Sequence, residues 1–317
     1  MKPIFRIFLI IIISFAFCQM MFVLSQRGLK AYSCHKYERL NELLHNKSSY
    51  DLVLIGSSIV HCGMDPRIID SICNLSSYNA GVEGGNLLEV KMILDAYLVN
   101  HPAPKYLVLT LDFASFNLNR KFFNHLDYYP FLSNEVVDRV LSNNGHKTSL
   151  LKVFPFIELT EYDEEMRSKC VKGLIGKSEI MSDQIAYKGF LSRPMNIHNI
   201  DSNIQEYFGK ANISDESLKL FQSISDTCHS RNVKLIINFP PVYSTKAQRV
   251  VVDNGKIFKT IYNLASEYKL HFLDDDKFDF CTDSSFFSDV THLNKTGAEV
   301  YSTILGKELA GIINKTE

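Results

Sequence analysis

The stretch DLVLIGSSIVHCGMDP, residues 51–66, decides the fold of this chain. Its first five residues, Asp51–Ile55, are almost all apolar and end at Gly56, which is the pattern of a short strand buried in a parallel sheet. Ser57 and Ser58 follow directly, and more apolar residues come after them. The stretch therefore predicts a strand, a turn that carries two serines, and a helix.

Apolar runs and amphipathic stretches alternate through the rest of the chain. Four further strands are predicted at Ser77–Ala80, Lys105–Leu111, Lys234–Phe239 and 270–273. The helices between them include one that begins at Asn86, one capped by Ser214, and a closing helix with an apolar stripe from Tyr301 to Ile312. This alternation is typical of an α/β protein with a parallel sheet.

Composition excludes several classes of protein. The 317 residues are 46% hydrophobic and 22% charged, which excludes a disordered chain and leaves enough apolar residues for a full core. The first thirty residues hold four basic side chains and no acid, so the rest of the chain has 30 basic residues against 35 acidic ones. Residues 31–317 therefore lack the excess of basic residues that binds phosphates, and no nucleic-acid partner is predicted.

The N-terminal segment predicts a membrane anchor over residues 1–30. Ile7 to Gln26 contains no charge, and as a helix it would span about 30 Å, the thickness of a bilayer's hydrocarbon core. The bulky Phe17 before Cys18 disfavours signal cleavage and lipid attachment. Because long domains cross membranes largely regardless of charge, we expect the body, residues 31–317, to lie outside the cytoplasm, in the periplasm or at the cell surface.

The third and fourth predicted strands lie about 120 residues apart, several times what a crossover needs. Residues 117–200 are therefore predicted to form an inserted lid or lobe. Its opening half is aromatic, with ten Phe and Tyr between Phe113 and Tyr162. Two interpretations stay open: a wall that binds sugar rings or an acyl chain, and the lobe's own core.

Polar residues follow the predicted strands at their carboxyl ends, where open α/β sheets bind ligands. Ser58 follows the first strand, Gly84 the second and Asp112 the third, while Asp289 and His292 lie beyond the fifth. A serine at a strand-to-helix turn exposes its hydroxyl beside free backbone N–H groups. This order predicts a nucleophile, Ser58, within reach of a base.

His292 is the predicted base. Asp289, three residues earlier, can accept from one imidazole nitrogen and leave the other facing Ser58. The backbone N–H groups of Ser58 and Gly84 are the predicted donors to an oxyanion, and Gly84 has no side chain to block approach. Each signal is common by itself, so the prediction depends on their order and placement.

These motifs resemble the SGNH, or GDSL-like, hydrolases. VLIGSSIVHCGMDP is similar to the family's first block, with Ser58 at the nucleophile position and Ser57 where an Asp is usual. NAGVEGGN is similar to the second block, with Gly84 at the oxyanion glycine. DVTHLNKTGAEVY is similar to the last, with Asp289 and His292 as acid and base. The Gly-Ser-Ser variant, followed by Gly-x-Asp-Pro, resembles a membrane-anchored branch that includes DltD-type envelope proteins.

The family's third block is different in this chain. SGNH enzymes carry Gly-x-Asn-Asp after the third strand, where the Asn donates to the oxyanion, but LTLDFASFN places Ala114 there. Asn117, Asn119 or Asn86 could replace that donor, and Asn117 is the candidate we retain. Asp112 is expected to hold the Ser57 hydroxyl or to cap a loop, so Ser57 and Asp112 are predicted to support the site.

The resemblance implies a fold and a function. The fold would be a flavodoxin-like, three-layer α/β structure with five parallel strands, an inserted lobe and an N-terminal transmembrane helix. The reaction would be cleavage or transfer of an acyl ester through an acyl-Ser58 intermediate, without metal or other cofactor. The fixed anchor favours an acylated envelope glycan or a lipid-linked glycan as the substrate.

Two alternatives to this enzyme stay open. A catalytically inactive SGNH-like protein would use the same cleft to bind glycan or a membrane acyltransferase partner. If residues 31–317 instead lie in the cytoplasm, the expected substrate is a small ester.

Two further features have simpler interpretations. Asp274–Asp276 lacks the remaining ligands of a calcium loop and is predicted to be a solvated turn. Six cysteines outside the anchor allow three disulfides or scattered buried thiols.

Overall fold

A computed structural model describes residues 3–194, 213–243 and 254–315. The chain divides into two compact units. The lobe unit comprises residues 1–41 and 124–182, and the sheet unit comprises residues 42–123 and 183–317. The predicted domain boundaries, an anchor at 1–30 and a lobe at 117–200, stay a prediction.

The sheet unit is built on five parallel strands. They are β1 (Leu52–Gly56), β2 (Ser77–Gly81), β3 (Tyr106–Thr110), β6 (Lys234–Phe239) and β7 (His271–Asp274). Their order across the sheet is β2-β1-β3-β6-β7, which is the flavodoxin-like order. A short antiparallel hairpin, β4 (Ala186–Tyr187) and β5 (Phe190–Leu191), lies between β3 and β6 in sequence. The predicted fold class is confirmed, with all five strands at their predicted places.

The described helices are, in chain order, α1 (Pro3–Tyr32), α2 (Cys34–Leu44), α3 (Ser58–Gly63), α4 (Pro66–Cys73), α5 (Leu87–Asn100), α6 (Glu135–Asn143), α7 (Thr148–Val153), α8 (Glu164–Leu174), α9 (Asp215–Ser230), α10 (Asn254–Glu267) and α11 (Lys295–Ile313). Short 3-10 helices at His125–Phe131, Pro155–Glu161, Asp279–Thr282 and Ser284–Phe286 complete the list. Asn86 and Ser214 cap α5 and α9 as the sequence predicts, because their side-chain oxygens accept backbone N–H groups of the first turn.

The core of the sheet unit follows from the apolar strands. Leu52 and Leu54 of β1, Val108 of β3 and Ile236 of β6 are fully buried in one cluster with Leu305 of α11. Helix α11 packs on α4, and α9 packs on α5, so helices cover the sheet. Burial on both faces explains why these strands are uninterrupted apolar runs.

The apolar part of α1 is solvent-exposed in the protein alone. The helix has 30 residues and a mean hydropathy of 2.7 over its most apolar 18-residue window, none of it buried, so it is long and apolar enough to cross a membrane. Beyond Gln26 the helix packs closely on α8. A Cβ added at Gly28 would lie 2.0 Å from the Cys170 carbonyl oxygen, and one at Gly173 would lie 1.8 Å from the Gly28 carbonyl oxygen.

Most of the aromatic residues predicted for the inserted segment form core. Six of the ten rings between Phe113 and Tyr162 are buried, namely Phe116, Phe122, Tyr128, Tyr129, Phe131 and Tyr162. Phe123 and Phe154 remain well exposed. Most of these rings are therefore core, but Phe116 and Phe122 belong to the sheet unit, so four of the ten contribute to the lobe's own core.

The prediction of a solvated turn at Asp274–Asp276 is wrong for Asp275, which has no exposed surface. Its Oδ2 accepts from Asn238 Nδ2 at 2.6 Å and from the Tyr301 hydroxyl at 2.8 Å. Partners from β6 and α11 explain the burial, since buried polar groups are nearly always hydrogen-bonded. All seven cysteines are free thiols.

Candidate active site

Ser58 is the first residue of helix α3, directly after β1. Ser57 caps this helix, because its hydroxyl oxygen accepts from the N–H of Ile59 at 3.3 Å. The N–H groups of a first helical turn have no intrahelical carbonyl partner, so the N–H of Ser58 is available to a ligand. The strand and the cap together fix the serine at the carboxyl edge of the sheet.

His292 and Asp289 lie beside Ser58, although 234 residues separate His292 from the serine in sequence. Ser58 Oγ is 2.8 Å from His292 Nε2. His292 Nδ1 is 2.8 Å from each carboxylate oxygen of Asp289. The imidazole therefore bridges a hydroxyl and a carboxylate, as a base and its orienting acid do.

The loop that carries Asp289 and His292 is fixed by its own hydrogen bonds. Asp289 Oδ1 also accepts from the backbone N–H groups of Thr291 and His292, each at 2.9 Å. Just beyond, Asn294 caps α11 and donates from Nδ2 to the Ser285 carbonyl at 2.6 Å. These contacts hold the imidazole, whose side chain is only 15% exposed, in one position.

Arg193 belongs to the site and was not among the predicted residues. Its Nη1 donates to Asp289 Oδ2 at 2.9 Å, and both side chains are 38% exposed. Burial alone would raise the pKa of Asp289, but its hydrogen bond and charge interaction with His292 and the positive charge of Arg193 outweigh burial. The pKa of Asp289 therefore lies well below its usual range, and the carboxyl stays ionised at any ordinary pH.

Ser57, the residue before the nucleophile, is hydrogen-bonded to Asp112, with the Ser57 hydroxyl donating to Asp112 Oδ2. Asp112 is buried and also accepts from the backbone N–H groups of Ala114 at 2.8 Å and Ser115 at 3.0 Å. Burial raises the pKa of Asp112, and these hydrogen bonds oppose that rise. The pair ties the end of β1 to the loop after β3.

Gly84 has a conformation that only glycine adopts easily, with φ at +60°. A Cβ there would lie 2.1 Å from the Phe123 ring, so the ring covers this backbone closely. Phe123 is in turn held by its N–H, which donates to Glu89 Oε2 at 3.1 Å. The loop after β2 is therefore shaped by the absence of a side chain at Gly84.

The asparagines proposed to replace the third-block donor differ in availability. Asn86 has both side-chain groups in use: Oδ1 accepts from Leu88 N–H at 2.9 Å, and Nδ2 donates to the Arg120 carbonyl at 2.9 Å. Asn117 is exposed, and its Oδ1 accepts from the N–H of Asn119 at 3.1 Å. That bond leaves the Asn117 Nδ2 group uncommitted among the described residues, whereas Asn86 Nδ2 would have to give up its bond to the Arg120 carbonyl.

Comparisons with known proteins give little beyond this geometry. No protein-family model matches the chain, and no curated protein matches it. A search of solved structures finds "a putative lipolytic protein of G-D-S-L family from Desulfitobacterium hafniense DCB-2" at 8% identity and a TM-score of 0.39, over 81% of this chain and 98% of that one. A similarity at this score carries over neither an activity nor a site.

Proposed function

We propose that this protein is a membrane-anchored, extracytoplasmic acyl-ester hydrolase or O-acyltransferase of the SGNH type, acting on cell-envelope glycan. One observation carries the proposal: a continuous chain of hydrogen-bond distances from Ser58 Oγ through His292 to Asp289, each 2.8 Å. Such a chain activates a hydroxyl that is otherwise a weak nucleophile. The family assignment is part of the same proposal and rests on the sequence motifs and the parallel sheet.

In the first half-reaction His292 Nε2 takes the Ser58 hydroxyl proton while Oγ attacks the acyl carbonyl carbon. The carbonyl oxygen becomes an oxyanion, which the N–H groups of Ser58 and Gly84 stabilise, with the Asn117 amide as a third donor. The tetrahedral intermediate collapses, the C–O bond to the leaving alcohol breaks, and imidazolium returns the proton to that alcohol. Ser58 then carries the acyl group as an ester.

In the second half-reaction an acceptor hydroxyl attacks the acyl-Ser58 carbonyl, and His292 takes the acceptor's proton. If the acceptor is water, the products are a carboxylic acid and free enzyme. If it is a sugar hydroxyl, the product is a new ester on the glycan. Both outcomes restore the Ser58 hydroxyl with the proton from His292, so the same residues serve hydrolysis and transfer.

Helix α1 supports the placement at a membrane, because its apolar length matches the hydrocarbon core. An enzyme held there meets envelope polymers and lipid-linked glycans continuously, whereas small diffusible esters would need no anchor. The acylated glycan is therefore the proposed substrate class, and the anchor the proposed membrane attachment.

The proposal is tested with p-nitrophenyl acetate, with and without oligosaccharide acceptors, on the purified full chain. We expect p-nitrophenol release by the wild type and by Ser284→Ala, an exposed serine control, and none above background by Ser58→Ala. Acetylated oligosaccharide in the products would assign transfer, and acetate alone would assign hydrolysis. A folded wild type no faster than Ser58→Ala would overturn the proposal.

A second candidate is favoured by one observation, the alanine at position 114 where the family places an oxyanion donor. This second candidate is a catalytically inactive protein whose cleft binds glycan or a membrane acyltransferase partner. It predicts that His292→Ala keeps glycan binding and biological function, while bulky residues at Gly84 abolish both.

A further inference from the structure

The lobe unit contains a groove of about 650 Å³ along one side of helix α1. Part of its lining is apolar and comprises Phe22 and Val23 of α1, Leu151 of α7 and Pro155. Another part carries the cationic side chains of Arg27 and Lys30, one to two turns further along α1. The lining of the groove therefore changes from apolar to positively charged toward the C-terminal end of α1.

The segment after α7 contacts α1 well inside that apolar stretch. Phe15 packs edge-to-face on Phe156 with ring centroids 5.5 Å apart, and on Phe154 at 6.4 Å. Phe15 lies eleven residues before Gln26, which is about 16 Å along the helix. If α1 spans a bilayer, Phe154 and Phe156 reach the depth of the acyl chains.

The surface around these rings is apolar as well. Val153 is 63% exposed, and Leu150 and Phe154 are also exposed. Water-exposed apolar groups beside a membrane-spanning helix are stable when lipid covers them, since burial of apolar surface is the main favourable term in membrane binding. The apolar end of the groove is thus continuous with a surface suited to lipid chains.

The cationic end suits an anionic headgroup. Among the described residues, no carboxylate forms an ion pair with Arg27 or Lys30, while the third cation at the groove, Lys152, is bound to Asp138 at 2.6 Å. Burial raises the pKa of the nearby Glu158 to about 7, so at neutral pH this carboxyl carries only part of a negative charge. Glu158 therefore offsets the charge of Lys30 only in part, and net positive charge remains where phospholipid headgroups would be.

We propose that this groove binds one anionic phospholipid of the bilayer, its chains along Phe22, Val23 and Leu151 and its phosphate against Arg27 and Lys30. The proposal rests on the membrane placement of α1 given under the proposed function, but not on the serine chemistry. Such a bound lipid would fix the lobe unit against the membrane surface.

The test uses the full chain in a neutral maltoside detergent and fluorescent phosphatidylglycerol, followed by anisotropy, with fluorescent phosphatidylcholine as the zwitterionic comparison. We expect tighter binding of phosphatidylglycerol by the wild type. Arg27→Gln/Lys30→Gln should weaken it roughly twenty-five-fold, because each cation near an anionic lipid contributes about a fivefold factor. Arg167→Gln/Lys177→Gln, exposed positions of the same unit outside the groove, should leave it unchanged.

Three results would overturn the lipid site: equal affinity for both lipids, equal weakening by the two double variants, or competition by soluble glycerol phosphate as strong as by unlabelled phosphatidylglycerol. The last would indicate a free-phosphate site. Resistance of the wild type to carbonate extraction from membranes tests the placement of α1 separately. Ester hydrolysis by both double variants, expected at the wild-type rate, keeps failure of the lipid site distinguishable from failure of the serine chemistry.

Discussion

Different interactions dominate the two units of this chain. In the sheet unit, short buried strands end in polar residues, and His292 lies 2.8 Å from Ser58 on one side and 2.8 Å from Asp289 on the other. In the lobe unit the most prominent exposed features are apolar: the first twenty-odd residues of α1 and the surface around Val153. Directional polar contacts therefore characterise the first unit, and exposed apolar surface characterises the second.

This difference predicts which single substitutions should have the largest effects. In the sheet unit each polar contact is directional, so removing one group breaks a step of the proposed reaction. In the lobe unit the interactions are mostly apolar and shared by many side chains, so single changes should act weakly. The following predictions test that contrast.

The largest effect is expected for His292→Ala. Without the imidazole no group accepts the Ser58 proton, so kcat for p-nitrophenyl acetate should fall at least about 10³-fold with KM little changed. His271→Ala, an exposed histidine at the start of β7, is the matched control and should retain activity. Retained activity in His292→Ala would show that His292 is not the base.

A somewhat smaller loss is expected for Gly84→Ala. The added methyl would meet the Phe123 ring and strain a positive-φ backbone, moving the N–H proposed to stabilise the oxyanion. Loss of one such donor typically costs about 10² to 10³ in kcat.

Gly145→Ala in the lobe unit is the control for Gly84→Ala. Gly145 also has a positive φ, at +93°, but nothing lies within 4 Å of its Cβ position. It should show the backbone strain alone, as a modest drop in melting temperature with activity intact. Equal activity losses in the two variants would refute a specific role for Gly84.

A third prediction concerns stability and pH in the sheet unit. Burial and the charge of Glu308 raise the pKa of Asp275 to about 8. Below pH 4 this carboxyl is protonated in both folded and unfolded chains, and its contribution to stability is complete. As pH rises toward 8 only the unfolded chain ionises, so the free energy of unfolding should fall by up to about 1.4 kcal/mol per pH unit.

Asp275→Asn should flatten that pH dependence. The amide has a similar shape and cannot ionise, so chemical denaturation of the variant between pH 5 and 8 should give a smaller slope than the wild type. An unchanged slope would mean that Asp275 ionises normally in the folded protein.

The smallest effect is expected in the lobe unit, from Glu158→Gln. Burial raises the pKa of Glu158 to about 7, and its Oε1 accepts from Gln26 Nε2 at 2.6 Å. Its contribution is complete below about pH 4.5 and is lost as pH rises through 7. Because this window is narrower than that of Asp275, the variant should change stability over the whole range from pH 5 to 8 by less than Asp275→Asn does. A larger change than for Asp275→Asn would contradict the ordering.

The sequence predicts more of the sheet unit than of the lobe unit. Buried parallel strands are short apolar runs, so their positions can be predicted from the sequence pattern. Once the strands are placed, ligands are expected at their carboxyl ends, which predicts that Ser58, Gly84 and Asp112 lie at one edge of the sheet. Asp289 and His292 follow from the same rule together with a family resemblance. Their catalytic roles stay a prediction until the variants above are measured.

Residues brought in by long-range packing escape this kind of prediction. Arg193, which falls inside the predicted insertion but belongs to the sheet unit, reaches Asp289, and no local pattern marks it. Asp275 lies in a run of three acids that is typical of a solvated turn, yet Asn238 and Tyr301 of other elements bury it. In both cases the deciding partner is distant in sequence, so only the folded chain shows the contact.

The most direct test of the central claim is to treat the full chain with a fluorophosphonate and to locate the modified residue by peptide mass spectrometry. An activated serine displaces fluoride from phosphorus, and the adduct mass identifies its position. We predict one adduct, on the peptide that contains Ser58, lost in Ser58→Ala and strongly reduced in His292→Ala. A folded protein with no adduct, or with an adduct at another serine only, would contradict the account.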